Sequence, residues 1–131
     1  MAETKRRILI VDDDPDFRFQ QRVHLERAGF AVIEAEGLDK ARLLVREGAF
    51  DLAMVDLMME EFDAGFTLCH EIKKKNAGLP VIMITGVKGE TGLDFDAATQ
   101  EERSWIKADA LLAKPVRPDQ LLREVNRLLR G

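Results

Sequence analysis

Three side-chain chemistries in this chain invite a common site: carboxylates at Asp12, Asp13, Asp14 and Asp56, a hydroxyl at Thr85 and an amine at Lys114. Carboxylates gathered in one pocket repel by roughly 4 kcal/mol per pair at about 4 Å and an effective dielectric of about 20, so a converged cluster wants a cation. Oxygen-only ligands favour a hard ion, and a few carboxylates with open water positions suit Mg²⁺ better than a full Ca²⁺ cage. A metal held this way can bridge an incoming phosphoryl group. Lys114 can then hold one phosphoryl oxygen as a point charge, and the Thr85 hydroxyl can donate to another. A carboxylate serves as nucleophile by forming an acyl phosphate.

This chemistry requires a scaffold that brings distant residues together, and the apolar patterning supplies one. ILIV (8 to 11) is a β-branched run closed by DDDPD, where Pro15 and the acidic residues suit the first turn of a helix over about 15 to 28, stopping at Gly29. Phe17, Val23, Leu25 and Ala28 are its expected inward residues, with Gln20, Gln21 and His24 interrupting the stripe. AVIEA (31 to 35) reads as a second strand, and 38 to 48 as a helix ended by Gly48 with Ala41, Leu44 and Val45 inward. FDLAMVDLMM (50 to 59) contains a strand apolar on both faces, followed by a helix over 66 to 76. Pro80 opens the strand VIMIT (81 to 85). The 86 to 107 stretch has glycines at 86, 89 and 92, then an acidic helix-like segment ending near Trp105. DALLAKP (109 to 115) gives a fifth strand, and Pro118 begins a helix with Leu121, Leu122, Val125, Leu128 and Leu129 inward.

Strands alternating with helices imply right-handed βαβ units: an α/β doubly wound, five-stranded parallel sheet with helices on both faces. Chemistry in such sheets gathers beyond the carboxyl ends of the strands, where the strand order switches. The polar residues named above fall at those ends. With the order 2-1-3-4-5, strands one and three are neighbours about 4.8 Å apart, so Asp12, Asp13 and Asp56 converge.

Composition narrows the function classes. A chain of 131 residues, 46% hydrophobic and 34% charged, fits one globular domain. A net charge of -4 provides no global field for a phosphate backbone, which disfavours direct nucleic-acid binding. The lone Cys69 permits neither an intrachain disulfide nor a cysteine zinc site, and with helical spacing to Leu68 and Ile72 it reads as a core residue. No apolar run approaches a membrane span, MAETKRR is not followed by a signal-like segment, and a reducing, cytoplasmic location fits.

Taken together, ILIVDDDPDF, DLAMVDLMM, VIMITG and LLAKPV, in that order, resemble the receiver domain of two-component response regulators, a flavodoxin-like fold. The resemblance runs from about Arg7 to Leu129 and implies one receiver domain over 1–131, with no output domain. It implies that Asp56 is the phosphoacceptor, Asp12, Asp13, Asp56 and the main-chain carbonyl of Met58 the Mg²⁺ ligands, Thr85 the switch hydroxyl, and Lys114, before a cis Pro115, the phosphate-pairing lysine. It further implies a sensor histidine kinase or phosphotransfer protein as donor, a non-enzymatic signalling role, a downstream protein target, and a homodimer through the fourth helix to fifth helix face. The sequence departs from the family at four points. Leu111 stands where many receivers carry Tyr or Phe, Glu60 replaces a common proline, Ala64 looks like an extra residue, and the 29 positions from Thr85 to Lys114 exceed the usual span by roughly two turns of about 3.6 residues.

Plainer readings compete for each residue taken singly. Asp12 to Asp14 suit helix capping, worth about 0.3 to 1 kcal/mol each. Asp56 and Lys114 suit a structural ion pair, Thr85 a strand end, and Lys73 to Lys75 a solvated helix end. Trp105 suits docking or packing equally. Two other functions also compete: a receiver-like module that binds a partner without taking phosphate, and a haloacid-dehalogenase-type phosphohydrolase, whose DxD pattern Asp12 to Asp14 matches. The hydrolase lacks a later acidic pair, room for a cap domain, and a role for Asp56.

Overall fold

The computed structural model describes residues 5–48, 50–56, 64–85 and 108–130. Five strands, β1 (Arg7–Val11), β2 (Ala31–Ala35), β3 (Leu52–Asp56), β4 (Val81–Thr85) and β5 (Ala110–Ala113), form a parallel sheet in the order β2-β1-β3-β4-β5. The described helices are α1 (Pro15–Arg27), α2 (Leu38–Glu47), α3 (Ala64–Lys75) and α4 (Pro118–Arg130). The sequence-based expectations for the 86 to 107 segment, Trp105 and Glu60 lie outside the described residues.

Side-chain alternation along the strands divides the core in two. Leu9, Val11, Ala53, Val55, Val81 and Met83 pack in one cluster with α2 and α3 residues such as Ala41, Val45, Leu68 and Cys69. Ile8, Ile10, Leu52, Met54, Ile82, Ile84 and Leu112 pack in the other with Phe17, Leu25, Leu121 and Val125 of α1 and α4. β3 and β4 are buried along their whole length, as their near-continuous apolar runs require of central strands. Leu111 is half-buried and packs with the first cluster, opposite Met83 in register.

Helix ends follow local chemistry. Asp14 caps α1, its side chain accepting from the amides of Asp16 at 3.0 Å and Phe17 at 3.4 Å, while Pro15 fills the first turn where no donor is needed. Gly48 ends α2 at φ 64, in the left-handed region that spares a residue without Cβ.

Two expectations, for the inward stripe of α1 and for the lysine run of α3, need correction. Gln21, not Ala28, completes the inward stripe of α1, because positions 17, 21 and 25 stack at four-residue spacing and Ala28 falls at the exposed C-cap; Val23 is half-buried. The inward face expected of α4 is present: Leu121 and Val125 are fully buried, and Leu122, Leu128 and Leu129 pack half-buried against the same cluster. The lysine run at the end of α3 is exposed at Lys74 and Lys75, as a solvated end requires, but Lys73 is half-buried and both Lys73 and Lys75 make specific contacts. Lys73 Nζ donates to the Leu79 carbonyl and to Asp109 Oδ2, each at 2.7 Å, and Lys75 Nζ donates to the Val45 carbonyl at 2.6 Å and to that of Arg46, tying the end of α3 to the last turn of α2.

Candidate functional site

The sheet register sets the site. Val11 of β1 pairs with Val55 of β3, so the next residues, Asp12 and Asp56, stand beside each other at the carboxyl ends of adjacent strands. Carboxylate oxygens of Asp12, Asp13 and Asp56 lie within 4.8 Å of one another. Asp12 and Asp56 are buried, at 0% and 3% exposure, while Asp13 opens to solvent. β5 brings Lys114 to the same end, where its Nζ is 3.0 Å from Asp12 Oδ2 and 3.7 Å from Asp56 Oδ2.

Asp12 is fixed from several directions. Its amide donates to the Ala35 carbonyl at 3.1 Å, its carbonyl accepts from Arg18 Nη1 at 2.6 Å, and its Oδ1 accepts from the Asp14 amide at 2.9 Å. Arg18 is itself held by Glu34 of β2 at 3.0 Å. Asp12 Oδ2 is different: it is buried and close to Lys114, but without the alignment of a hydrogen bond. A buried carboxylate oxygen whose satisfaction is electrostatic alone fits a hard cation, and the all-oxygen donor set with solvent on the Asp13 side fits Mg²⁺.

Lys114 is tuned by two opposed effects. Burial alone would lower its pKa, but the Asp12 contact and the charges of Asp56, Asp12 and Asp14 outweigh it, so the amine is held above its ordinary value. It is a fixed positive charge at neutral pH. The Lys114–Pro115 bond is cis, matching the expectation for Pro115. Thr85 is buried at the end of β4, one residue beyond Ile84, the register partner of Asp56, and its carbonyl accepts from the Lys114 amide at 3.0 Å.

Of the residues expected from sequence, the structure therefore gathers Asp12, Asp13, Asp56 and Lys114 and puts Thr85 on the neighbouring strand end. Asp14 turns away to cap α1. The Met58 carbonyl lies outside the described residues. Sequence reasoning missed Arg18 as the prop of the Asp12 backbone, and it assigned Phe17 only to the core, although the Phe17 ring centroid is 4.4 Å from Lys114 Nζ. The spacing of Arg18 and Glu34, on a helix and an edge strand, carries no local signal that they meet.

Comparison with known proteins finds matches along nearly the whole chain. The family model described as "Response regulator receiver domain" matches residues 8–126. Transcriptional regulatory protein ResD of Bacillus subtilis (strain 168) is 38% identical over 131 residues, covering 98% of this chain and 49% of its own length. Transcriptional regulatory protein GltR of Pseudomonas aeruginosa is 37% identical over 133 residues, covering 99% of this chain and 51% of its own. The chain thus spans about half the length of these curated relatives. Among solved structures, a CheY-like response regulator receiver domain protein from Methanospirillum hungatei JF-1 superposes with a TM-score of 0.80 at 28% identity, covering 97% of this chain and 95% of that one. A putative response regulator from Chloroflexus aurantiacus J-10-fl gives 0.82 at 26% identity, covering 98% and 100%.

Proposed function

The chain belongs to the response regulator receiver domain family of two-component systems, and from that premise we propose that it accepts one phosphoryl group on Asp56 and changes conformation in response. The donor is a phosphohistidine on a sensor histidine kinase or phosphotransfer protein. A carboxylate oxygen of Asp56 attacks phosphorus in line, the phosphorus–nitrogen bond of the donor breaks, and its electron pair returns to the imidazole, which takes up a proton. Asp12, Asp13 and Asp56, with the Met58 carbonyl, would hold Mg²⁺, which when bound supplies positive charge to the phosphoryl oxygens. Lys114 pairs with a second phosphoryl oxygen and the Thr85 hydroxyl donates to a third. Hydrolysis of the acyl phosphate resets the site, and the conformational response is limited by how differently the phosphoryl group is held in the two states.

The observation that carries this reading is the buried Asp12–Asp56 pair with Asp13 and Lys114 at one sheet end. It explains why three acids and one base are placed together when a structural ion pair would need only one of each. Incubation with acetyl phosphate and Mg²⁺, followed by intact mass spectrometry, is expected to show one added phosphoryl group that Asp56→Asn abolishes. A label on Asp12 would reverse the assignment. Turnover of phosphate esters would favour the hydrolase, and absence of any label a module that binds its partner unphosphorylated.

A further inference from the structure

Phe17 is closer to the reacting groups than membership of an apolar cluster requires. Lys114 Nζ lies over its ring, 4.4 Å from the centroid, inside the roughly 6 Å over which a ring face attracts a cation. The ring is well anchored: the Phe17 amide is tied to the Asp14 cap at 3.4 Å, and the side chain is 8% exposed among Leu112, Val116 and Leu121. Lys114 is the opposite, a flexible stem 26% exposed whose ammonium must meet Asp12 at 3.0 Å and Asp56 at 3.7 Å. Long lysine side chains lose appreciable rotamer freedom when held, so a rigid perch beside the carboxylates changes where the charge resides.

We propose that Phe17 is a positioning residue for phosphoryl transfer: its ring face holds the Lys114 ammonium between Asp12 and Asp56, where a phosphoryl group arriving on Asp56 meets it. The inference rests on the phosphoacceptor reading of the site. It assigns to the aromatic residue three places after Asp14 a part in the chemistry that capping and core packing do not account for.

The test uses the full chain with three substitutions: Phe17→Leu, which keeps apolar bulk and removes the ring; Phe17→Tyr, which keeps the ring; and Lys114→Met, alone and combined with Phe17→Leu. Phe17→Met is the second ringless variant should Phe17→Leu fail to fold. Two quantities are read, the initial rate of labelling by acetyl phosphate with Mg²⁺, and the ring-current shift of the Lys114 methylene protons by NMR without phosphodonor. Phe17→Leu is expected to label about threefold to tenfold more slowly and to lose the upfield shift, while Phe17→Tyr keeps both. In the Lys114→Met background, Phe17→Leu is expected to have no further effect. A ringless variant labelling at the parent rate, or a penalty that persists without Lys114, overturns the inference while leaving the phosphoacceptor reading intact. No labelling of the parent chain overturns that reading, and the inference with it, even where the ring-current shift is present.

Discussion

Replacing Asp56 by Asn should stabilise the metal-free protein even as it removes the proposed phosphorylation. Oxygens of Asp12 and Asp13 lie within 4.8 Å of Asp56, so each repulsion is worth at least about 3.5 kcal/mol at an effective dielectric of about 20. Against these stands the ion pair with Lys114 at 3.7 Å, worth about 4.5 kcal/mol on the same scale. Of these three charge pairs the two repulsions outweigh the attraction, and screening of the exposed Asp13 trims their difference to about 1 to 2 kcal/mol. Asn keeps the shape of the side chain, so packing is little disturbed. Thermal melts in EDTA should therefore place the variant about 4 to 8 °C above the parent. Adding Mg²⁺ should raise the parent more than the variant, since the cation binds three carboxylates better than two. A variant equal to or less stable than the parent in EDTA would refute the view that these acids are crowded in their charged form.

Three further outcomes follow from individual contacts. Because the charges of Asp12 and Asp56 hold the Lys114 pKa above 10.5 despite burial, the stability its ammonium confers is complete below that pH and is lost as pH climbs through the higher folded value. Urea melts in EDTA should show a gap between parent and Lys114→Met that closes above about pH 10.5; a gap independent of pH would contradict this. Asp109 Oδ2 accepts from the Val81 amide at 2.8 Å and from Lys73 at 2.7 Å, so Asp109→Ala should lower unfolding stability by about 2 kcal/mol, and a change under about 0.5 kcal/mol would show the contact to be replaceable by water. Burial pushes the Cys69 thiol up to about 11, so iodoacetamide should modify it only as fast as the fold opens; prompt reaction of the folded chain would count against its core placement.

The sheet was legible because its strands announce themselves by composition: LAMVD and VIMIT are too apolar for an exposed face, and both proved buried throughout. From their order the meeting of Asp12, Asp13 and Asp56 followed, since parallel βαβ topology leaves few arrangements. Helix faces were read less well. Gln21 is buried although polar, because its place in the Phe17–Gln21–Leu25 stack is set by helical geometry while its side chain argues for solvent. The contacts of Lys73 and Lys75 were missed for a related reason: a charge run shows no trace of the carbonyls that tertiary packing brings near it. The cation over Phe17 was equally hidden, as it joins residues 97 positions apart in sequence.

The Val11–Val55 register has a consequence for how this protein can drift by mutation. Consecutive side chains on a strand face opposite ways, so deleting or inserting one residue within β3 would turn Asp56 toward the layer that holds Ala53 and Val55 and away from Lys114. Most apolar exchanges along these strands preserve the meeting of the acids, whereas a single indel abolishes it. Residue count between fixed points, more than residue identity, is the quantity such a lineage must hold constant.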